Sequence, residues 1–392
     1  MKKVVFLNRP NHWYLRMLAI LLIVFLCGML AWNLLTPDKL FSESENRSLE
    51  QLASFSSRNL MSGKLASNVE KYIADQFAAR DFWIGLKTDA ERVIGKKESH
   101  GVYLGMDGFL LQKFIPPTDE NLKEKVAAIH AFDDATPDLR KYVMLVPTAQ
   151  SVLADKLPSN VSDNGELVSR GKVQRSLREN IHIVDVYPAL FANREQSIFY
   201  KTDHHWTTNG AYYAYQALGK QMGFEPKIKE DFRIETVTND FYGSLYSKSG
   251  YRHMKPDSIE LYLPKDNGRN SVEYVDEQQR SDSLYVMDNL KKKDKYTVFL
   301  NGNHGLIKIA TSNREDRKLL VIKDSYANSL LPFLTQHFQE IYVVDLRYYE
   351  GNIKKLIQEQ QIHDMLLLYN VQTFFEDPSI QTLKEQAEER GE

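Results

Sequence analysis

The stretch KLLVIKDSYANSLLPFLTQHFQEIYVVD, residues 318–345, decides the fold class. Lys318-Leu-Leu-Val-Ile322 is an apolar run of strand length, Tyr326 to Phe338 reads as a helix, and Glu340-Ile-Tyr-Val-Val-Asp345 is a second strand. A helix from Asn352 to Gln360 and a strand over His363-Asp-Met-Leu-Leu-Leu-Tyr369 extend this to a βαβαβ run. Apolar runs alternating with helical segments predict a mostly parallel sheet with helices on both faces.

Upstream, the same alternation is present. Asp119 to Asp133 is helical in pattern, Lys141-Tyr-Val-Met-Leu-Val-Pro147 a buried strand, Glu166 to Asn180 a helix, and Ile181 to Val186 a strand. A helix from Thr208 to Met222 places Ala211, Tyr215 and Leu218 on one face. Gly101 to Leu111 reads as a hairpin around Gly105-Met-Asp-Gly108,. Between about 231 and 310 short segments rich in Tyr, Val and Ile (258–262, 271–275, 296–300, 306–310) read as a β-rich insertion. A helical pattern from Leu65 to Ile94 follows a polar, Ser-rich stretch at 37–60 that reads as a stalk or wrapping segment.

The chain has 392 residues, 43% of them apolar, with 21 Tyr and 19 Phe, enough for a sizeable folded core,. A formal net charge of −2 gives no basic excess, so no nucleic-acid partner is expected,. One cysteine excludes an internal disulfide and a Cys-rich zinc site,. Met17 to Leu35 is nearly all apolar, and its nineteen residues would reach roughly 28 Å, one hydrocarbon core,. Lys2, Lys3, Arg9 and Arg16 precede it and Asp38, Glu43 and Glu45 follow. That asymmetry predicts a cytoplasmic tail (1–16), an uncleaved single-pass anchor (17–35), a stalk and helical segment (36–95) and an outer domain (96–392).

Chemistry is concentrated in Asp203-His204-His205-Trp206, just before the helix at 208. A carboxylate two residues from an imidazole can orient it for acid–base work on a hydroxyl. Ser325, between a strand and the first turn of a helix at a carboxyl end of the sheet, is the matching alcohol, near free backbone N–H groups that could hold an oxyanion. Taken alone, Ser325 is an N-cap. The adjacent His204 and His205 with the flanking Asp203 could also be metal ligands, but neighbouring residues rarely both point into one site and no further acidic or His ligand lies nearby, so no metal or cofactor is expected. Trp206 reads as packing or as a surface for sugar stacking, and Asn370 and Asn303 as turn residues or oxyanion donors. His304 and His337 read as structural. Tyr212, Tyr213 and Tyr215 suit sugar stacking or a core face.

These segments resemble the DHHW family, itself similar to the SGNH-hydrolase-like proteins of alginate O-acetylation (AlgX/AlgJ-like). Ser44-Glu45-Asn46-Arg47, Asp75-Gln76-Phe77, Val102-Tyr103-Leu104-Gly105, Tyr200 to Gly210 and Lys323 to Tyr326 carry the resemblance. It implies an SGNH-hydrolase-like (flavodoxin-like) domain in which Asp203 orients, His205 acts as base and Ser325 as nucleophile. His204 and Tyr326 are further substrate candidates, and Asp324 matches the Asp of a Gly-Asp-Ser block. Lys323 departs from that block's Gly, and no Gly-x-Asn block is present. The implied function is extracytoplasmic O-acyl transfer, O-acetyl in particular, to a cell-surface polysaccharide. The acyl group would come from a membrane-bound O-acyltransferase partner. An esterase with the same triad, or a non-catalytic carbohydrate-binding scaffold, are the alternatives.

Overall fold

The computed structural model describes residues 12–52, 64–162, 165–266 and 268–388. Lys2, Lys3 and Arg9, and residues 53–60 of the Ser-rich stretch, lie outside the described residues. The chain divides into two units, Met1–Glu91 and Arg92–Glu392.

In the first unit one helix, His12–Leu35, is long and apolar enough to cross a membrane, with mean hydropathy 2.5 and none of its length buried. The expected helix from Leu65 to Ile94 is two helices, Lys64–Asp75 and Arg80–Val93. They break where Ala79 takes a left-handed φ of 54°. The polar stretch forms a two-residue ribbon, β1 (Phe41–Ser42) with β2 (Arg47–Ser48). Arg47 Nη1 donates to Asp75 at 2.8 Å and Arg80 Nη1 to Glu45 at 2.6 Å, joining the 44–47 and 75–77 motifs.

The second unit is built on an eight-stranded mixed sheet. Its strands, with their flanking pieces, are β3 (Glu98–Ser99), β4 (Val102–Leu104), β5 (Leu110–Gln112), β6 (Arg140–Val146), β7 (Ile181–Ile183), β8 (Phe232–Phe241), β9 (Asp257–Pro264), β10 (Ser271–Tyr274), β11 (Gln279–Ser281), β12 (Leu306–Ala310), β13 (Lys318–Lys323), β14 (Glu340–Val344) and β15 (Asp364–Asn370). The sheet order is β11-β10-β12-β14-β13-β15-β6-β7. Strands β14, β13, β15, β6 and β7 run parallel; β12, β10 and β11 add antiparallel at one edge. Numbered by appearance, the parallel part runs 2-1-5-3-4, because the last strand, β15, inserts between β13 and β6. That differs from the 2-1-3-4-5 order of flavodoxin-like sheets.

Alternate residues of the central strands feed two cores. Leu319, Val321, Leu366 and Leu368 face the helix Thr208–Met222. Leu320, Ile322, Met365 and Leu367 face the helices Asp119–Ala135 and Ile353–Gln360. Each fully buried aliphatic side chain contributes about 1.5–3 kcal/mol, and a strand buried on both faces reads as a continuous apolar run.

The β-rich stretch is only partly an insertion. Strands β8 and β9 pair with each other, whereas β10, β11 and β12 belong to the main sheet. Segment 296–300 lies in no strand: Lys295–Val298 is a 3-10 turn, and Phe299 makes a single bridge to Tyr285. The helix expected over 326–338 is a 3-10 turn, Ser325–Ser329, followed by a four-residue helix, Leu331–Leu334. Pro332 has no N–H to give and restarts the helix at its own first turn. A third core of Tyr200, Phe241, Ile259, Leu261, Tyr296, Val298 and Phe299 draws the 200s loop, the β8–β9 pair and the 296–299 turn together.

Candidate active site

The segment holding Asp203 is closed on itself before it meets anything else. Phe199 and Trp206 form an antiparallel bridge, and the N–H of Tyr200 donates to the carbonyl of His205 at 3.3 Å. Thr207 then accepts from the Gly210 N–H at 3.2 Å and caps the helix Thr208–Met222. At the base of the loop Asp257, first residue of β9, accepts the N–H groups of Lys201 and Thr202, each at 2.8 Å.

Within this frame the Asp203 carboxylate is held through both of its oxygens. Its Oδ1 accepts from His205 Nδ1 at 2.5 Å and from the His205 N–H at 2.9 Å. Its Oδ2 accepts from the Ser244 N–H at 2.7 Å. Gly243 lies against the carboxylate so closely that a Cβ there would overlap it. Burial would raise the Asp203 carboxyl, but the facing imidazoles of His205 and His204 and the Ser244 N–H hold it well below the usual carboxylate range,.

The other imidazole nitrogen, His205 Nε2, lies 2.7 Å from Ser325 Oγ. The structure therefore brings Asp203, His205 and Ser325 into one hydrogen-bonded relay, although the serine lies 120 residues beyond the histidine. His205 is buried and Ser325 half-buried, so the relay meets solvent at the alcohol end. The Tyr296 ring stacks on His205 with centroids 3.8 Å apart and planes 10° from parallel. Tyr296 Oη also donates to Ser329 Oγ at 3.1 Å and to the Ser325 carbonyl at 3.3 Å.

Ser325 follows the carboxyl end of β13, where the side chain of Asp324 fixes the turn. Asp324 Oδ1 accepts the Tyr326 N–H at 2.9 Å and Oδ2 the Asn370 N–H at 2.8 Å, so this carboxylate serves backbone, not the imidazole. Lys323 is fully buried and points away from the relay, with Nζ at 2.6 Å from Asn303 Oδ1 and 2.9 Å from Asn328 Oδ1. Asp345, at 3.5 Å, supplies its counter-charge. Burial lowers the Lys323 ammonium to about 8, Asp345 partly restoring it. A five-residue 3-10 turn after Ser325 offers less aligned dipole than the long helix expected from the sequence,.

The remaining candidates are distributed as follows. His204 is half-buried, its Nδ1 2.6 Å from Ser244 Oγ. Burial and the adjacent His205 push its imidazole down to about 4. Trp206 is fully buried and donates from Nε1 to the Tyr326 carbonyl at 2.9 Å, so its indole has no open face for a sugar. Tyr326 is also buried, its hydroxyl bonded to the His204 carbonyl; both residues clamp one loop to the other. Asn303 faces the Lys323 network. Asn370 Oδ1 caps the next helix, while its Nδ2 is buried without a hydrogen-bond partner. Tyr212 and Tyr215 are core residues of the 208–222 helix. Tyr296, Gly243 and Ser244 were not singled out by any sequence motif.

Asp203, His204 and His205 each offer an atom within 4.8 Å of one another, as a cation site would require. Both His205 ring nitrogens are engaged by Asp203 and Ser325, however, and His204 Nδ1 by Ser244. A metal there would have to break the relay.

Residues 124–344, which include every member of the relay, match the family described as "DHHW protein". No match was found among curated proteins. Among solved structures, a DHHW family protein from Eubacterium siraeum is 25% identical with a TM-score of 0.63, over 74% of this chain and 96% of that one. Bacillus cereus PatB1, solved with a sulfonyl adduct, is 20% identical with a TM-score of 0.59, over 68% of this chain and 94% of that one. The O-acetyltransferase domain of Pseudomonas putida AlgJ matches at 16% identity and a TM-score of 0.45, over 73% and 99%. With its family match spanning more than half its length, this chain belongs to the DHHW family.

Proposed function

We propose that the protein is a membrane-anchored, extracytoplasmic SGNH-type O-acyltransferase, O-acetyl in particular, acting on a cell-surface polysaccharide. The observation that carries this reading is the unbroken relay from Asp203 through His205 to a half-exposed Ser325 at the carboxyl end of the sheet. Asp203 holds the Nδ1–H tautomer of His205, leaving Nε2 free to accept the Ser325 proton. Ser325 Oγ attacks the acyl carbonyl and its proton passes to Nε2. The same proton then leaves with the donor's alcohol or thiol, and an acyl-serine remains. A sugar hydroxyl repeats the steps in reverse: His205 takes its proton, the sugar oxygen attacks the acyl carbon, and Ser325 is released with that proton.

A long apolar helix ahead of the domain suits this role, since it would keep the relay near a membrane-bound O-acyltransferase that delivers the acyl group,. The basic residues before the helix favour an outward-facing domain,.

The test is covalent labelling of the full chain in neutral detergent. With p-nitrophenyl acetate, and separately with an aryl sulfonyl fluoride, intact mass should rise by one acetyl or one sulfonyl group on Ser325, and neither on Ser325→Ala. Added glycan that receives the acetyl marks a transferase; acetate released to water marks an esterase. Ester turnover unaltered in both Ser325→Ala and His205→Ala would remove the reading. Stoichiometric metal in the purified chain, lost with His204→Ala, would replace it with a cation site.

A further inference from the structure

We propose that the helical hairpin Lys64–Asp75 and Arg80–Val93 is itself a membrane element, resting on the leaflet at the Leu35 end of the apolar helix with a phospholipid acyl chain in the groove between them. This rests on the anchor reading of His12–Leu35 and is independent of the chemistry at Ser325.

The hairpin is tied to the apolar helix at a defined level. At its elbow the Ala78 N–H donates to Asn33 Oδ1 at 2.8 Å. The Lys39 N–H donates to Gln76 Oε1 at 2.9 Å, and Tyr72 Oη donates to Asp38 at 2.9 Å. The 24 residues of His12–Leu35 reach about 36 Å, against about 30 Å of hydrocarbon,. Its Leu35 end therefore rises to the interface, and exposed Trp32 lies at the level where Trp is enriched,. The elbow, bonded one residue further on, is held at that boundary.

Below the tie a groove of about 740 Å³ opens between the hairpin and the apolar helix. Phe25, Met29 and Leu30 form one wall; Ile73, Phe77 and Trp83 form the other. The polar groups on its rim are committed within the protein: Asn33 to Ala78, Asp38 to Tyr72, and Gln76 to Lys39. Nothing on that rim selects a headgroup, and the apolar walls favour hydrocarbon over water. The apolar helix has none of its length buried, so in a membrane lipid already surrounds it. The groove continues that lipid-facing surface, which makes an acyl chain its occupant.

The second helix of the hairpin also presents an apolar stripe outward. Phe82 is 61% exposed, Leu86 49%, and Ala90 is exposed as well. At 3.6 residues per turn these three fall within about 80° of one another. Trp83, one residue on, turns into the groove, so groove and stripe are adjacent. An exposed apolar stripe on a helix held at the membrane boundary suits a helix lying in the interface, its apolar face sunk about 5–10 Å. Exposed Lys71 falls on the side of its helix opposite the middle of the face formed by Tyr72, Ile73, Gln76 and Phe77,.

The experiment uses the full chain reconstituted in vesicles of phosphatidylglycerol and phosphatidylcholine. The phosphatidylcholine carries a spin label either near the glycerol or deep in the chain. The lone cysteine, Cys27, lies on the apolar helix, so a fluorophore on it reports on the anchor alone. In a Cys27→Ser background the same fluorophore is placed on Leu86→Cys and on Lys71→Cys, the second controlling for partition of the dye itself. The Cys27 label should be quenched, and the Leu86 label quenched by the shallow spin label about twice as strongly as the Lys71 label. Replacing phosphatidylglycerol by more phosphatidylcholine should leave that ratio unchanged. Quenching at Cys27 with Leu86 no stronger than Lys71 would overturn the hairpin's membrane role and leave the anchor standing. No quenching at Cys27 would remove the anchor reading itself. A Leu86 label shielded from aqueous iodide yet untouched by the lipid spin labels would show a second copy of the chain on that face, and would also overturn the proposal.

Discussion

Replacing Asp203 by asparagine isolates what the relay contributes, because the change keeps the side chain's shape and alters only its charge and one acceptor. The carboxylate takes two N–H groups of His205 on Oδ1 and the Ser244 N–H on Oδ2. If the new amide nitrogen occupies the Oδ2 position, it meets the Ser244 N–H donor to donor. If it occupies the Oδ1 position, it opposes the His205 N–H and forces Nδ1 to accept. The ring proton then moves to Nε2, which faces Ser325 and can no longer take its proton. In either orientation the negative charge facing the nascent imidazolium is gone. Losing the tautomer and the charge of such a triad costs about 10³–10⁴ in rate, equivalent to about 4–5.5 kcal/mol of barrier.

The assay is nitrophenolate release from p-nitrophenyl acetate, paired with intact mass of the acetylated chain. A rate within tenfold of wild type, in an Asp203→Asn protein that still melts cooperatively, would refute the assignment of Asp203 as the orienting group. The same variant reports on pH. Since the folded-state carboxyl lies below its ordinary value, its stabilisation is complete above about pH 4, where the unfolded carboxyl is also ionised,. It is lost as pH falls further. The stability difference between wild type and Asp203→Asn should be flat from pH 5 to 8 and shrink below about pH 4.

Gly243→Ala should drive the new Cβ into the Asp203 carboxylate and lower Ser325 acetylation about 100-fold, the cost of a misplacement near 1 Å, as read by the same mass assay,. Lys323→Met removes a buried ammonium from Asn303, Asn328 and Asp345, and should cost about 3–5 kcal/mol in urea unfolding,. His337 is held down to about 4, by burial first and then by Lys227 and Arg317, and its Nε2 lies 2.6 Å from Tyr215 Oη. Between its ordinary value and about pH 4 the unfolded chain binds the extra proton, so stability should fall on acidification through that window, and less so in His337→Gln.

Legibility in the sequence followed the range of the interactions involved. Strands β13, β14 and β15 could be read within a residue or two because both faces are buried, which writes an unbroken apolar run into each,. Residues 326–338 read as one helix from the alternation of segments alone, but nearly every position there is buried, so no polar face sets a helical period, and Pro332 breaks the segment. The antiparallel addition of β12, β10 and β11 depends on partners distant in sequence, and their charged turns read as those of a separate insertion.

The relay divides in the same way. The Asp203–His205 contact spans two residues inside a loop closed by its own Phe199–Trp206 bridge, so its geometry is local and its motif visible. The His205–Ser325 contact is held by cross-links with no local trace: the Trp206 indole donating to the Tyr326 carbonyl, and the Tyr326 hydroxyl donating to the His204 carbonyl. Tyr296 completes the third side, and it lies in a turn brought to His205 by the core it shares with Tyr200 and Phe241. A sequence can state which residues have the chemistry to act together; the 2.7 Å between imidazole and alcohol depends on two aromatic side chains whose packing role outweighs any contact with substrate.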